Sequence, residues 1–334
     1  MTTSNNISIF GIHSDAERYT WAAYCLFVLL SSLIGDTLIL YASTHNVFKL
    51  NKFIVKVIQH IAVCDLVYAV TAVFPAATSL IANSWVLGDA LCYGRVYTSY
   101  YIYTVGMALI AVLTTTKLLL LKYPVRCAQW TKRLGHRTCS LIYIIPLTIP
   151  AAFLIVDKND ISFDYTAYNC QHKYKADVWR KIMPIIGVIT LFLPNIVILV
   201  TTIPTLKYLA TAWESARRVR GSFPLQGTLT VALTATIYCI ATLPVFVFYI
   251  TKENPEPSLS RIQFRRIANF MSMINIMSNF YIYSLTIKSF RDFLTSRISS
   301  ILSACLRIMT TSDEGDQERR GADRSITQIN ETSV

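Results

Sequence analysis

Residues 92–124 read CYGRVYTSYYIYTVGMALIAVLTTTKLLLLKYP, and between Tyr93 and Thr116 the only full charge is Arg95. A helix rises about 1.5 Å per residue, so roughly twenty such residues cross the hydrocarbon core of a bilayer. The stretch opens on Cys92, which can form a disulfide. It closes on Lys117 and Lys122, where a cation can sit at the boundary between lipid and water. A helix of this kind can join an outside face to an inside face.

The rest of the chain supports that reading. Of 334 residues, 53% are hydrophobic and 15% charged, and the mean hydropathy is +0.44. Soluble domains usually carry about 25% charge. The apolar residues fall in seven long blocks: about Tyr19–Ser43, Ile54–Ala82, Cys92–Leu121, Cys139–Val156, Ile182–Thr205, Leu229–Ile250 and Ile267–Ile287. Each is long enough to span, which predicts an all-α membrane protein, a seven-transmembrane-helix bundle over residues 19–287.

The net charge is +12, but the bases cluster at the ends of apolar blocks, which fits membrane topology rather than nucleic acid. One set of loops holds Lys49, Lys52 and Lys56, then Arg126, Lys132, Arg133 and Arg137, then Arg217, Arg218 and Arg220. The opposite set mixes fewer bases with Asp157, Asp160, Asp164 and Glu253. The positive-inside rule places the first set in the cytoplasm and residues 1–18 outside, where Asn6 lies in a glycosylation sequon. Arg261, Arg265 and Arg266 run against the rule, either snorkelling at the outer interface or attracting an acidic ligand. Beyond the seventh block, residues 288–309 alternate apolar and basic residues as an amphipathic helix on the inner leaflet would. Cys305 there is a palmitoylation candidate. Residues 310–334 are polar and expected to be disordered. They end on Thr332-Ser333-Val334, a PDZ-ligand-like terminus in which Thr332 and Val334 are the recognition positions.

Several motifs resemble those of the rhodopsin-like (class A) G-protein-coupled receptors over about residues 19–305. Gly35-Asp36 stands where that family has Gly-Asn, and Ile61-Ala62-Val63-Cys64-Asp65-Leu66 is similar to its Leu-Ala-x-x-Asp-Leu. Trp85-Val86-Leu87-Gly88 precedes Cys92 at the family's spacing. Pro194 and Pro244 match prolines of the fifth and sixth helices, and Asn275, Asn279 and Tyr283 fit the seventh-helix pattern. The order and spacing of these motifs carry the resemblance. The chain also departs from the pattern. Thr116-Lys117-Leu118 replaces Asp-Arg-Tyr, Phe280 replaces the proline of Asn-Pro-x-x-Tyr, and Ala241-Thr242-Leu243-Pro244 lacks the sixth-helix tryptophan.

The resemblance implies a plasma-membrane receptor that passes an extracellular ligand signal to a heterotrimeric G protein, to arrestin or to both. It implies a Cys92–Cys170 disulfide and a ligand cavity at the outer third of the bundle, with Arg95, Ser99, Tyr100 and Tyr103 as candidates. Ser99 stands where amine receptors carry Asp, and Met273 where opsins carry their retinal lysine, so neither ligand is expected. It further implies a sodium site at Asp65 with Asn275 and Asn279, to which the residues add Asp36. Two carboxylates at one depth cannot both ionise cheaply, so a cation- or proton-sensitive pocket and a simple packing network both remain open. Thr116, Lys117, Thr242, Pro244 and Tyr283 are the expected coupling and activation positions. Lys117 keeps a cation but not the bidentate fork of arginine. One alternative is a receptor-like binding protein with weakened or absent G-protein coupling; a transporter or channel is another. No spaced metal ligands, nucleophile–base pair or phosphate loop appears, so an enzyme is not expected.

Overall fold

The computed structural model describes residues 15–147, 161–164, 168–172, 192–211, 225–251, 259–300 and 303. Asn6, Cys305, Thr332 and Val334 lie outside the described residues, as do parts of the fourth and fifth apolar blocks.

The first span is a helix over Asp15–Thr44. It starts four residues before the expected Tyr19. Asp15 and Glu17 fall in its first turn, where carboxylates meet the positive end of the helix dipole, and Arg18 pairs with Asp15 at 2.8 Å. The second span covers Lys52–Ala82. Asn51 caps it by accepting from the Phe53 N–H at 2.8 Å. Within it, Ala69–Val73 widens to a π-helical turn before Pro75. Proline lacks an N–H and crowds the carbonyl four residues back, so the helix re-aims there. The span ends at Asn83, which takes the left-handed conformation with φ 54°.

The third span runs over Gly88–Lys122, and Gly88 has φ 78°, a conformation glycine adopts without steric cost. A short helix, Pro124–Ala128, follows. The fourth helix begins at Lys132, not Cys139, and is described to Ile144 with a 3-10 turn at Ile145–Leu147. Hydropathy marks only the lipid-facing part, whereas backbone hydrogen bonding continues into the polar end of the helix. The same reason moves the sixth span's start to Leu225 and the seventh's to Leu259, ending at Thr286. The fifth is described over Phe192–Thr211.

Five of these helices are long and apolar enough to cross a bilayer. The seventh carries Arg261, Arg265 and Arg266 in its outer turns and amides further in, which lowers its hydropathy. Leu30, Ile34, Leu141 and Leu285 point outward from their helices. In a bilayer such residues meet lipid without cost, so the core forms where the helices face one another. One core cluster includes Ile39, Ile58, Leu109, Leu113, Tyr283 and Phe290. Another, toward the outer ends, includes Cys25, Val28, Leu80, Phe270 and Met273.

At Gly35 the first span approaches the seventh closely. A Cβ at this position would lie 2.6 Å from both Cβ and Cγ of Phe280. The glycine therefore admits the phenyl ring that stands in for proline. After Thr286 the chain turns, and residues 288–300 are helical. Phe290 is fully buried, stacked 5.1 Å from Phe48, and Arg297 donates to the Tyr41 hydroxyl at 2.9 Å. The expected amphipathic helix thus folds back against the first span.

Among the described residues, a short hairpin departs from the helical pattern. Ile161–Asp164 (β1) and Asn169–His172 (β2) pair antiparallel, with Phe163 opposite Cys170.

Candidate functional site

The outer end of the bundle is built around a covalent link. Cys92, in the first turns of the third span, is disulfide-bonded to Cys170 of β2, with Cα atoms 5.5 Å apart. Val96 and Ile161 are buried beside the link, and Tyr100, Phe163 and Trp85 pack on it. The Trp85 indole donates to the Gly88 carbonyl at 2.7 Å, which holds the loop against the helix start. The bond draws the hairpin over the third span at the mouth of the bundle.

The outer arginines divide into two kinds. Arg265 donates to Asp164 of the hairpin at 3.2 Å and lies over the Phe248 ring. Arg266 stands 4.0 Å from Glu17 and over the Tyr168 ring. Burial raises the Tyr168 phenol, and the Arg266 guanidinium partly offsets this. Both arginines therefore tie the seventh span to neighbouring parts of the chain. Arg95 differs: it is 6% exposed, and its Nε has no hydrogen-bond partner.

Of the other candidate ligand residues, Ser99 lies one turn below Arg95 with an enclosed Oγ that lacks a partner. Tyr100 packs on the disulfide cluster and Tyr103 on the main core. The two tyrosines therefore occupy different environments.

Deeper in the bundle, the first, second and seventh spans bring polar groups together. Ser32 donates to Asp36 Oδ2 at 2.5 Å, a contact one helical turn apart. Asn279 donates to Asp65 Oδ2 at 2.8 Å. The two carboxylates are near enough to feel each other's charge. Asp36 Oδ1, Asn279 Oδ1 and both polar atoms of Asn275 are enclosed and make no hydrogen bond. Such atoms are costly unless something else meets them. Nothing lies within 4 Å of a Cβ placed on Gly106, so space is open there on the third span. Tyr283, 1% exposed, sits beside Thr234 of the sixth span. The four residues expected to form a polar pocket are thus Asp36 and Asp65 as acids, and Asn275 and Asn279 as amides.

At the opposite end of the third span, Thr116 is buried and Lys117 half-buried. The Lys117 Nζ reaches to 3.4 Å from where a Cβ on Gly227 would stand, so the third span's cation lies against the start of the sixth. Hydroxyls fasten the neighbouring helices. Thr201 of the fifth span donates to Thr114 of the third at 2.9 Å, and Thr230 of the sixth meets Thr286 of the seventh at 2.7 Å. Thr242, two residues before Pro244, bonds to the Tyr238 carbonyl at 2.9 Å and reaches Asn195 of the fifth span at 3.4 Å.

Sequence reasoning did not identify Gly227, Thr114, Thr201, Thr230 or Thr286. A threonine in an apolar helix commonly bonds its own backbone, so its cross-helix partner has no signature in the chain. It also missed a knot between the second and fourth helices. There the Tyr143 hydroxyl lies 3.3 Å from Cys64 Sγ and 3.4 Å from His60 Nδ1.

Residues 35–283 match the family described as "7 transmembrane receptor (rhodopsin family)". Among curated proteins, none matches the chain. Among solved structures, the crystal structure of squid rhodopsin superposes with a TM-score of 0.69 at 13% identity, covering 88% of each chain. At that identity the likeness speaks for the fold.

Proposed function

The chain belongs to the rhodopsin family of seven-transmembrane receptors, and on that footing we propose that it is a plasma-membrane receptor whose N-terminus faces outward. An extracellular ligand enters between the outer halves of the spans, below the disulfide-held hairpin. The signal leaves through the cytoplasmic ends of the third and sixth spans to a heterotrimeric G protein, to arrestin or to both.

The observation that carries this reading is Lys117 against Gly227. A cation lies half-buried at the junction of two spans, and no carboxylate among the described residues pairs with it. An ammonium in this place is restrained by packing rather than by an ion pair, so separating the sixth span from the third breaks no salt bridge. Outward movement of the sixth span would uncover Lys117 to a partner. Thr116 and Thr242 flank that movement through neutral contacts, Pro244 is the point where the sixth helix can bend, and Tyr283 packs against the moving face.

The side chains of Asp36, Asp65, Asn275 and Asn279 fit a sodium ion. Asp36 Oδ1, Asn275 Oδ1 and Asn279 Oδ1 are oxygens that the protein leaves unmet, and Asp65, held by Asn279, adds a second carboxylate. Sodium bound there would neutralise buried negative charge, while Ser32 and Asn279 orient the carboxylates by the bonds described above. Outside the bundle, Asn6 would carry glycan, Cys305 palmitate, and Thr332 with Val334 would recruit a PDZ-domain protein.

The test is nucleotide exchange by G proteins beside the reconstituted full chain, wild type against Lys117→Ala. Exchange that needs the receptor and falls in Lys117→Ala supports coupling through this end. A wild type silent with every G-protein class favours the receptor-like binding protein, for which Thr116-Lys117-Leu118 is the supporting feature. Equal exchange by both chains removes Lys117 from the coupling role.

A further inference from the structure

We infer that the ligand of this receptor carries an oxyanion, a carboxylate or a phosphate, which is received by Arg95. The inference rests on the receptor reading above and names the chemistry of that same site.

Arg95 lies on the outer third of the third span, one turn below Cys92. It is 6% exposed, yet it forms no salt bridge with any described carboxylate, and its Nε is enclosed without a hydrogen bond. Tyr68 of the second span and Cys25 of the first lie close enough to interact with its charge, and neither is a carboxylate. Arginine cannot escape this by losing its proton. A guanidinium withdrawn from water therefore needs an anion, and the described chain supplies none.

The two neighbouring arginines sharpen the contrast. Arg265 and Arg266 face Asp164 and Glu17, so these two described carboxylates are already engaged elsewhere. Ser99 is four residues on from Arg95 and so shares its helix face, with an enclosed hydroxyl that also lacks a partner. A guanidinium fork with a hydroxyl one turn deeper is a donor pair for the two or three oxygens of a carboxylate or phosphate. The surroundings are apolar and aromatic: Trp21 stacks on Phe270 at 4.0 Å, near Cys25 and Met273. The ligand is accordingly an anion on an apolar body.

The full chain in phosphatidylcholine nanodiscs is melted with millimolar phenylbutyrate, phenylpropyl phosphate or neutral phenylbutanol. At least one of the two anions should raise Tm by about 2 °C or more, with phenylbutanol giving no shift. Which anion acts distinguishes a carboxylate from a phosphate ligand. Arg95→Gln should abolish the anion response and melt no lower than wild type, because it removes an unpaired buried charge. Arg95→Lys should keep a smaller response, having the charge without the fork. No anion-dependent shift, an equal shift with phenylbutanol, or a full response in Arg95→Gln each overturns the inference. Melting is read without a G protein, so silence in nucleotide exchange would sink the coupling reading alone.

Discussion

The two ends of the third span are held by different physics. At the outer end a disulfide joins Cys92 to the β hairpin, and Arg265 anchors that hairpin to the seventh span through Asp164. At the opposite end the same helix is held by a Thr114–Thr201 hydroxyl bond and by the packing of Lys117 on Gly227. A covalent bond removes chain freedom outright, while each neutral hydrogen bond contributes only about 1 kcal/mol net. One end is therefore a fixed frame, and the other is a set of small contacts that can be exchanged. A receptor needs both: a mouth that keeps its shape for a ligand, and an inner face that can open.

The comparison breaks most visibly if the covalent end is cut. Cys92→Ser should cost about 2–5 kcal/mol and remove most folded protein from the cell surface, read by surface labelling and by Tm. Near-normal surface expression would mean that the packing of Val96, Ile161 and Trp85 holds the hairpin without the bond.

Gly35→Ala should come next, at about 1–3 kcal/mol, because its methyl group would meet the Cβ and Cγ of Phe280 at 2.6 Å. A Phe280 Cβ cannot rotate away, so the first and seventh spans must part. A variant melting with wild type would show that the two helices are not locked there.

Between the two ends, sodium should raise Tm relative to a bulky organic cation. The gain is about 1.4 kcal/mol at ten times Kd. Asp65→Asn should erase the difference. A sodium response that survives Asp65→Asn would leave the carboxylates as a packing network.

The smallest effect is expected at the exchangeable end. Thr230→Val removes the hydroxyl contact with Thr286, worth about 1 kcal/mol, and should raise basal nucleotide exchange roughly fivefold. Lowered exchange would mean that this bond belongs to the signalling form instead.

Much of the architecture was legible because lipid imposes it. Apolar length marks a span, and basic loops mark a side, so the existence of the helices follows from the order of residues. Their ends did not. The fourth helix starts at Lys132 because hydrogen bonding outlasts hydropathy, and the first starts at Asp15 because a charged turn can still be helical. Pro75 was in plain view in the second apolar run, yet the π-helical turn at Ala69–Val73 depends on how the backbone absorbs that proline. The polar pocket was legible in part. Asp36 and Asp65 stand out as acids in apolar runs, but the Ser32 contact and the orphaned amide atoms of Asn275 emerge only in the packed bundle.

The arginines show where the division lies. The order of residues alone specified seven apolar blocks, the family's motifs and a set of outer arginines with unknown partners. Tertiary structure decided that Arg265 and Arg266 face Asp164 and Glu17, from residues far away in the chain, while Arg95 faces Tyr68 and Cys25. Hydropathy is a property each segment carries alone, since the bilayer acts on one helix at a time. Whether a buried charge is neutralised depends on which other segment folds beside it, and no local pattern encodes that.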